Sequence, residues 1–162
     1  MTKSNPKELD MIVTAHSEWR GSFFDGTGTL STTTTKTVQA VPYTFASRFD
    51  GAPGAIPEEL LAAGHAGCYN HALANVARKN GLSVESISTT AELAMGSDDR
   101  GYLVEGIHLV VSAVLPDVSE QKFAEIAEGA RVGCAISRAL RIPITLDATL
   151  VAARVGVPGH IE

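Results

Sequence analysis

Pro57-Glu58-Glu59-Leu60-Leu61-Ala62-Ala63-Gly64-His65-Ala66-Gly67-Cys68 opens the longest helix this sequence encodes. Proline at the first helical position gives up an N–H that no preceding turn would use. Glu58 and Glu59 follow in the first turn, where the helix dipole favours negative charge. Asn80-Gly81 supplies the stop. Between these limits Leu60, Leu61, Gly64, Cys68, Ala72 and Val76 recur at spacings of three and four, which predicts one apolar face. The run is rich in Ala and Gly, so a neighbouring element can approach very closely. The helix is therefore predicted to be central and buried.

Toward the N-terminus, residues 16–24 read as a strand and Asp25-Gly26 as a tight hairpin turn with positive φ. The Thr-rich residues 28–37 read as the returning strand. A third extended piece covers residues 41–49, and the Gly- and Pro-rich residues 50–56 form a loop. Toward the C-terminus, residues 86–95 alternate as a strand does. Ser97-Asp98-Asp99-Arg100-Gly101 turns the chain into a long apolar strand over 102–115. A helix follows with Asp117 or Ser119 as its cap, an apolar stripe of Phe123, Ile126, Ala127 and Ala130, and a stop at Gly133. A short helix over 134–140 and a strand over 144–151 complete the pattern. No internal repeat or linker interrupts it. The sequence predicts one α+β domain over residues 16–151, with antiparallel sheets and helices on one sheet face. An N-terminal segment, 1–15, precedes it and a tail, 152–162, follows.

A chain of 162 residues fits one domain with a respectable core. The net charge of −5 argues against a nucleic-acid partner, which would need a basic face. No basic-then-apolar leader opens the chain and no apolar run could span a bilayer. The expectation is a cytoplasmic protein with no membrane partner. Cys68 and Cys134 are its only cysteines. Cytoplasmic thiols stay reduced unless they cycle, so the two suggest redox chemistry more than a structural cross-link. The competing reading is a buried thiol acting as a small hydrophobe. Cys68 lies some three turns into its helix, too deep to feel the dipole, and would need a cation such as Arg48 to ionise. Cys134 opens a helix whose first amides stabilise a thiolate, so local physics favours it as the more acidic thiol. His65, Cys68, His71 and Cys134 make a four-ligand zinc alternative, but three residues spread over six positions of one rigid helix converge poorly on a metal. The histidines read as packing or hydrogen-bonding residues. Asp25-Gly26-Thr27-Gly28 is too short for a nucleotide loop.

The stretch from Pro57 to Cys68 closely resembles the first cysteine motif of the OsmC/Ohr family of thiol peroxidases. Cys134-Ala135-Ile136-Ser137-Arg138-Ala139-Leu140, followed by Ile144-Thr145-Leu146-Asp147-Ala148, resembles the second. Ser86-Ile87-Ser88-Thr89-Thr90-Ala91, the stretch from Gly101-Tyr102 to His108, Tyr43-Thr44-Phe45-Ala46-Ser47-Arg48-Phe49-Asp50-Gly51 and Trp19 follow the OsmC branch. The resemblance runs from about residue 16 to 151. One departure stands out: Ala135 occupies a position where family members commonly carry proline, leaving the short helix without its usual first-turn residue.

The resemblance implies an intertwined homodimer, with sheets wrapped around two central cysteine-bearing helices. It also implies an organic hydroperoxide substrate, with Cys68 as peroxidatic and Cys134 as resolving cysteine. Arg48 would stabilise the Cys68 thiolate and Glu58 would hold that arginine. This moves the reactive role from Cys134, the local favourite, to Cys68. Phe45, Phe49, Tyr69 and Ile136 would line an apolar substrate wall. The implied reductant is a dithiol, of lipoyl type, and no metal, flavin or haem cofactor is implied. The alternative is a non-enzymatic OsmC-like ligand-binding or stress protein, against which Arg48 and Glu58 argue.

Overall fold

The computed structural model describes residues 11–152. Residues 1–10 and 153–162, which take in most of the N-terminal segment and nearly all of the tail, lie outside the described residues. The chain divides into two compact units, up to Pro57 and from Glu58 onward.

The first unit is an antiparallel meander of β1 (Ala15–Arg20), β2 (Thr27–Thr32) and β3 (Val41–Thr44) in the order β1-β2-β3, followed by α1 (Phe45–Phe49). The β1–β2 connection is longer than the sequence predicts. Asp25-Gly26 is not a two-residue hairpin turn: the chain leaves β1 at Gly21, whose φ is +98°, and Ser22 organises the loop. Its hydroxyl donates to Asp25 at 3.1 Å, and its carbonyl accepts the Gly26 N–H at 2.9 Å. Phe23 and Phe24, expected at the end of a strand, sit in this loop instead. Gly28 pairs with Tyr43 across β2–β3, and a Cβ on it would fall 2.5 Å from the Tyr43 ring. Only glycine fits beneath that ring.

The extended piece predicted over 41–49 stops at Thr44. Thr44 caps α1: its side chain accepts the Ser47 N–H at 2.9 Å, and the Ser47 hydroxyl accepts the Thr44 N–H at 2.9 Å. Two otherwise orphaned backbone donors are satisfied reciprocally, which turns Phe45–Phe49 into a helical turn.

The second unit holds α2 (Pro57–Lys79), whose first residue closes the first unit, then β4 (Ser86–Asp98), β5 (Gly101–Val114), α3 (Glu120–Gly133), α4 (Ala135–Ala139) and β6 (Ile144–Leu150). Helix α2 has the predicted limits, ended by Gly81 at φ +74°. Its buried stripe is Ala62, His65, Tyr69, Leu73 and Ala77, rotated from the predicted face. Cys68, Ala72 and Val76 flank this stripe half-buried, while Leu60 and Gly64 are exposed. The stripe follows bulk in its middle, where Tyr69 and Leu73 fill the core, while Ala63, Gly64 and Gly67 are exposed. Burying each large side chain contributes roughly 1.5–3 kcal/mol.

Strands β4 and β5 form a long antiparallel hairpin with an irregularity at Ala94/Met95. Strand β6 joins the far side of β5 in parallel, giving the order β4-β5-β6. The α+β class holds, but this second sheet is mixed rather than wholly antiparallel. Ile107, Leu109, Val111 and Ala113 point from β5 into a core shared with Tyr69, Leu73, Phe123, Ile126 and Ala130. Of the two predicted caps for α3, Ser119 is the one used, its side chain accepting the Lys122 N–H at 3.2 Å. Among the described residues no helix is long and apolar enough to cross a membrane.

Candidate functional site

Cys134 is held by its backbone between two helices. It ends α3, donating its N–H to Ala130 at 2.8 Å, and it is also the N-cap of α4, accepting the Arg138 N–H at 3.0 Å. Helix α4 forms with Ala135 at its first position, so the proline usual in the family is not needed for this turn. The Cys134 side chain is completely buried. Cys68, on the flank of the α2 stripe, is half-buried, and its Sγ lies 3.2 Å from Cys134 Sγ. Both thiols are free. Closing a bond of ordinary disulfide length would draw the sulfurs together by about 1.2 Å.

The two sulfurs differ in electrostatics. Burial pushes the Cys68 thiol up and the neighbouring Cys134 adds to the rise, together outweighing the N–H groups of Ile136 and Ala135 that favour its ionised form. Burial also acts against ionisation of Cys134. There the Ser137 N–H, the Cys68 thiol, the Ser137 hydroxyl and the Ile136 N–H together overcome it, leaving this thiol below its usual value. In the thiol form Cys134 makes no full capping hydrogen bond, so these donors act chiefly on the anion. The local expectation that Cys134 is the more acidic thiol agrees with these surroundings.

One turn before Cys68, His65 is fully buried and its Nε2 lies 2.8 Å from Ser137 Oγ. Among the described residues its Nδ1 has no hydrogen-bond partner. Burial lowers the pKa of this ring from the usual 6.5, so it is neutral at pH 7. Tyr69 is a core residue here. Its ring is fully buried, its hydroxyl donates to the Ala127 carbonyl at 3.1 Å, and burial raises its pKa. Ile136 packs toward α2, with its Cδ1 3.8 Å from where a Cβ on Gly64 would stand. Among the described residues no three His, Cys, Asp or Glu side chains are grouped so as to hold a metal ion. His71 is exposed.

Phe45, Arg48 and Phe49 fall together on α1 in the first unit. With Trp19, Phe23 and Tyr43 they line a cavity of about 260 Å³. Phe45 stacks edge-on with Phe23 and Phe24, and the Arg48 guanidinium lies over the Phe49 ring, 4.8 Å from its centroid. A cation seated on aromatic faces beside an apolar hollow suits a ligand with an apolar body and a polar head. Glu58 is half-buried in the first turn of α2. Sequence reasoning did not single out Ser137, although its place three residues after Cys134 was the available signal.

The profile of the OsmC-like protein family matches residues 49–149. Peroxiredoxin OsmC of Escherichia coli K12 is 36% identical over 129 residues, covering 80% of this chain and 90% of the relative. Organic hydroperoxide resistance protein OhrB of Bacillus subtilis is 33% identical over 93 residues, covering 57% of this chain and 66% of its own length. The crystal structure of an OsmC-like protein from Mycoplasma pneumoniae superposes with a TM-score of 0.68 at 17% identity, covering 88% of this chain and 99% of the other.

Proposed function

The chain belongs to the OsmC-like family, and on that premise we propose that it is a thiol-dependent peroxidase that reduces organic hydroperoxides to alcohols in oxidative or osmotic stress defence. The observation that carries this reading is the pair of free thiols, 66 residues apart in sequence, with their sulfurs 3.2 Å apart.

Cys68 is the peroxidatic residue. Its thiolate attacks the distal peroxide oxygen; an S–O bond forms, the O–O bond breaks, and the leaving alkoxide takes a proton to become the alcohol. Arg48 and Glu58 take the roles the family motif gives them. Arg48 stabilises the thiolate and the charge developing on the peroxide, and Glu58 orients that arginine. The cation is needed, because burial and the neighbouring Cys134 hold the Cys68 thiol above its usual value. Cys134, with the lower pKa of the two, then attacks the sulfenic sulfur. An S–S bond forms, the S–O bond breaks, and hydroxide leaves to be protonated as water. A dithiol, of lipoyl type, reduces the disulfide and is itself oxidised to a disulfide.

Phe45, Phe49 and Ile136 are assigned to the substrate wall. Tyr69, bonded to Ala127 in the core of the second unit, is assigned to that wall as well. Residues 16–151 act as one functional domain in a cytoplasmic homodimer. The exposed small residues of α2, Ala63, Gly64 and Gly67, support close approach by a second copy.

Stopped-flow measurement of thiol loss, comparing cumene and tert-butyl hydroperoxides with hydrogen peroxide, tests the assignment. Cys68→Ser should abolish turnover of the organic hydroperoxides. Cys134→Ser should give at most one turnover and leave a sulfenic acid that dimedone traps. Full turnover by Cys68→Ser would overturn the roles, and no turnover by the unaltered protein would favour a non-enzymatic binding protein.

A further inference from the structure

We propose that His65 is a positioning residue for the resolving thiol: its neutral ring, protonated on Nε2, donates to Ser137 Oγ and thereby turns the Ser137 hydroxyl proton toward Cys134 Sγ. This role rests on the assignment of Cys134 as the resolving thiol. It starts from a fully buried ring whose Nε2 is 2.8 Å from Ser137 Oγ and whose Nδ1 has no partner among the described residues. Ser137 in turn stands at the third position of α4, whose N-cap is Cys134. A residue three positions past the cap faces the cap side chain.

The two tautomers have opposite consequences. If Nε2 were bare, the Ser137 hydroxyl would donate to the imidazole and offer Cys134 only lone pairs, which repel a thiolate. Nδ1–H would also be a buried donor without an acceptor, an arrangement native proteins avoid more strictly than an unused acceptor. If Nε2 carries the proton, the donor chain runs His65 to Ser137 to Cys134. Each hydroxyl and ring nitrogen then has one direction. The hydroxyl supplies a hydrogen bond to the sulfur anion just as it must attack the Cys68 sulfenic sulfur. The lowered pKa of Cys134, to which the Ser137 hydroxyl contributes, agrees with this direction.

The titratable groups facing Cys134 are Cys68 and Tyr69 on α2, and the Glu128–Arg131 pair on α3 lies beside Tyr69. His65 itself never touches the reacting atoms and stays neutral throughout.

Two measurements made without hydroperoxide test the role. Ring-nitrogen NMR of the unaltered protein should show His65 with Nε2 protonated and Nδ1 bare at neutral pH; the reverse tautomer would overturn the proposal. In the Cys68→Ser background, ultraviolet thiolate absorbance followed against pH reads Cys134 alone. Ser137→Ala should raise its midpoint by about one pH unit, the size expected for one hydrogen bond to a charged group. His65→Leu should raise it by a similar amount, the double variant by no more than either single one, and His65→Gln, which keeps a neutral N–H near the Nε2 position, should largely restore it. An unchanged midpoint in Ser137→Ala, or additive shifts in the double variant, would overturn the donor chain. Should His65→Leu fail to fold, the tautomer and the Ser137→Ala titration still decide. Absence of peroxidase turnover would refute the proposed reaction and leave both readouts standing.

Discussion

Residues 58–152 and residues 11–57 are held together by different forces. Every member of the hydrophobic core, from Tyr69 to Cys134, belongs to the second unit. In the first unit the buried positions are Gly26, Gly28 and Ser47, and all six residues of β1 are exposed. The first unit relies on hydrogen bonds among Thr14, Thr33 and Thr34, on the Thr44–Ser47 cap, and on a cluster of touching aromatic rings. The second unit can hold two thiols in fixed register because burial supports it from all sides. The first presents a cation and apolar rings on a lightly buried frame. Fixing two sulfurs in register takes a packed core, whereas displaying aromatic rings beside a cavity takes only a small hydrogen-bonded frame.

The largest effect should come from the core. Leu73→Ala, at a fully buried position, is expected to lower unfolding free energy by about 2–5 kcal/mol in denaturant titration. A loss below about 1 kcal/mol would mean that the core does not dominate the second unit. Arg48→Lys should act in the opposite manner. It keeps the charge but loses the planar fork stacked over Phe49. Attack on hydroperoxide should slow by about a hundredfold while the thermal midpoint stays put. A large fall in midpoint with little change in rate would make Arg48 a structural residue and erase the contrast between the units.

How much of this was legible in the sequence depended on range. The limits of α2 follow from Pro57 and Gly81 alone, because proline and glycine act on their own turn. Helix α1 was missed although its signal was present: Thr44 and Ser47 stand at capping-box spacing, but Tyr43, Phe45 and Phe49 carry strand propensity that outweighs a five-residue helix. The direction of β6 was not legible, since no local residue distinguishes parallel from antiparallel pairing to β5. The stripe of α2 was read one position off because periodicity fixes spacing, and only packing fixes which neighbour is under it. The meeting of Cys68 with Cys134 came from the family resemblance. The His65–Ser137 bond spans 72 residues, and the sequence signals Ser137 only through its place three residues after Cys134, with nothing to pair it with His65.

Thr44→Ala sharpens the contrast at smaller amplitude. It removes the side-chain acceptor for the Ser47 N–H and should cost about 1 kcal/mol. Hydrogen exchange should locate that loss over residues 45–49, with β5 and α3 unaffected. Protection lost equally in both units would show that they unfold together, and the comparison would then describe architecture alone.

The smallest effect separates the units by pH. Burial lowers the pKa of His65 below its unfolded value of 6.5, so the unfolded chain binds this proton more readily than the folded one. Stability therefore rises with pH in this range: its His65 contribution is complete above the unfolded pKa and is lost as pH falls from there toward the folded value. Between pH 7 and pH 6 the loss from this one group is at most about 0.7 kcal/mol. It should appear as a lower denaturation midpoint and be absent in His65→Gln, which cannot take up the proton. Because His65 is buried against α4 in the second unit, acid should loosen the thiol pair first, and the Cys68–Cys134 register should weaken before β1–β3 do. An acid slope of equal size in His65→Gln would place its origin in other groups and remove the ring from this balance.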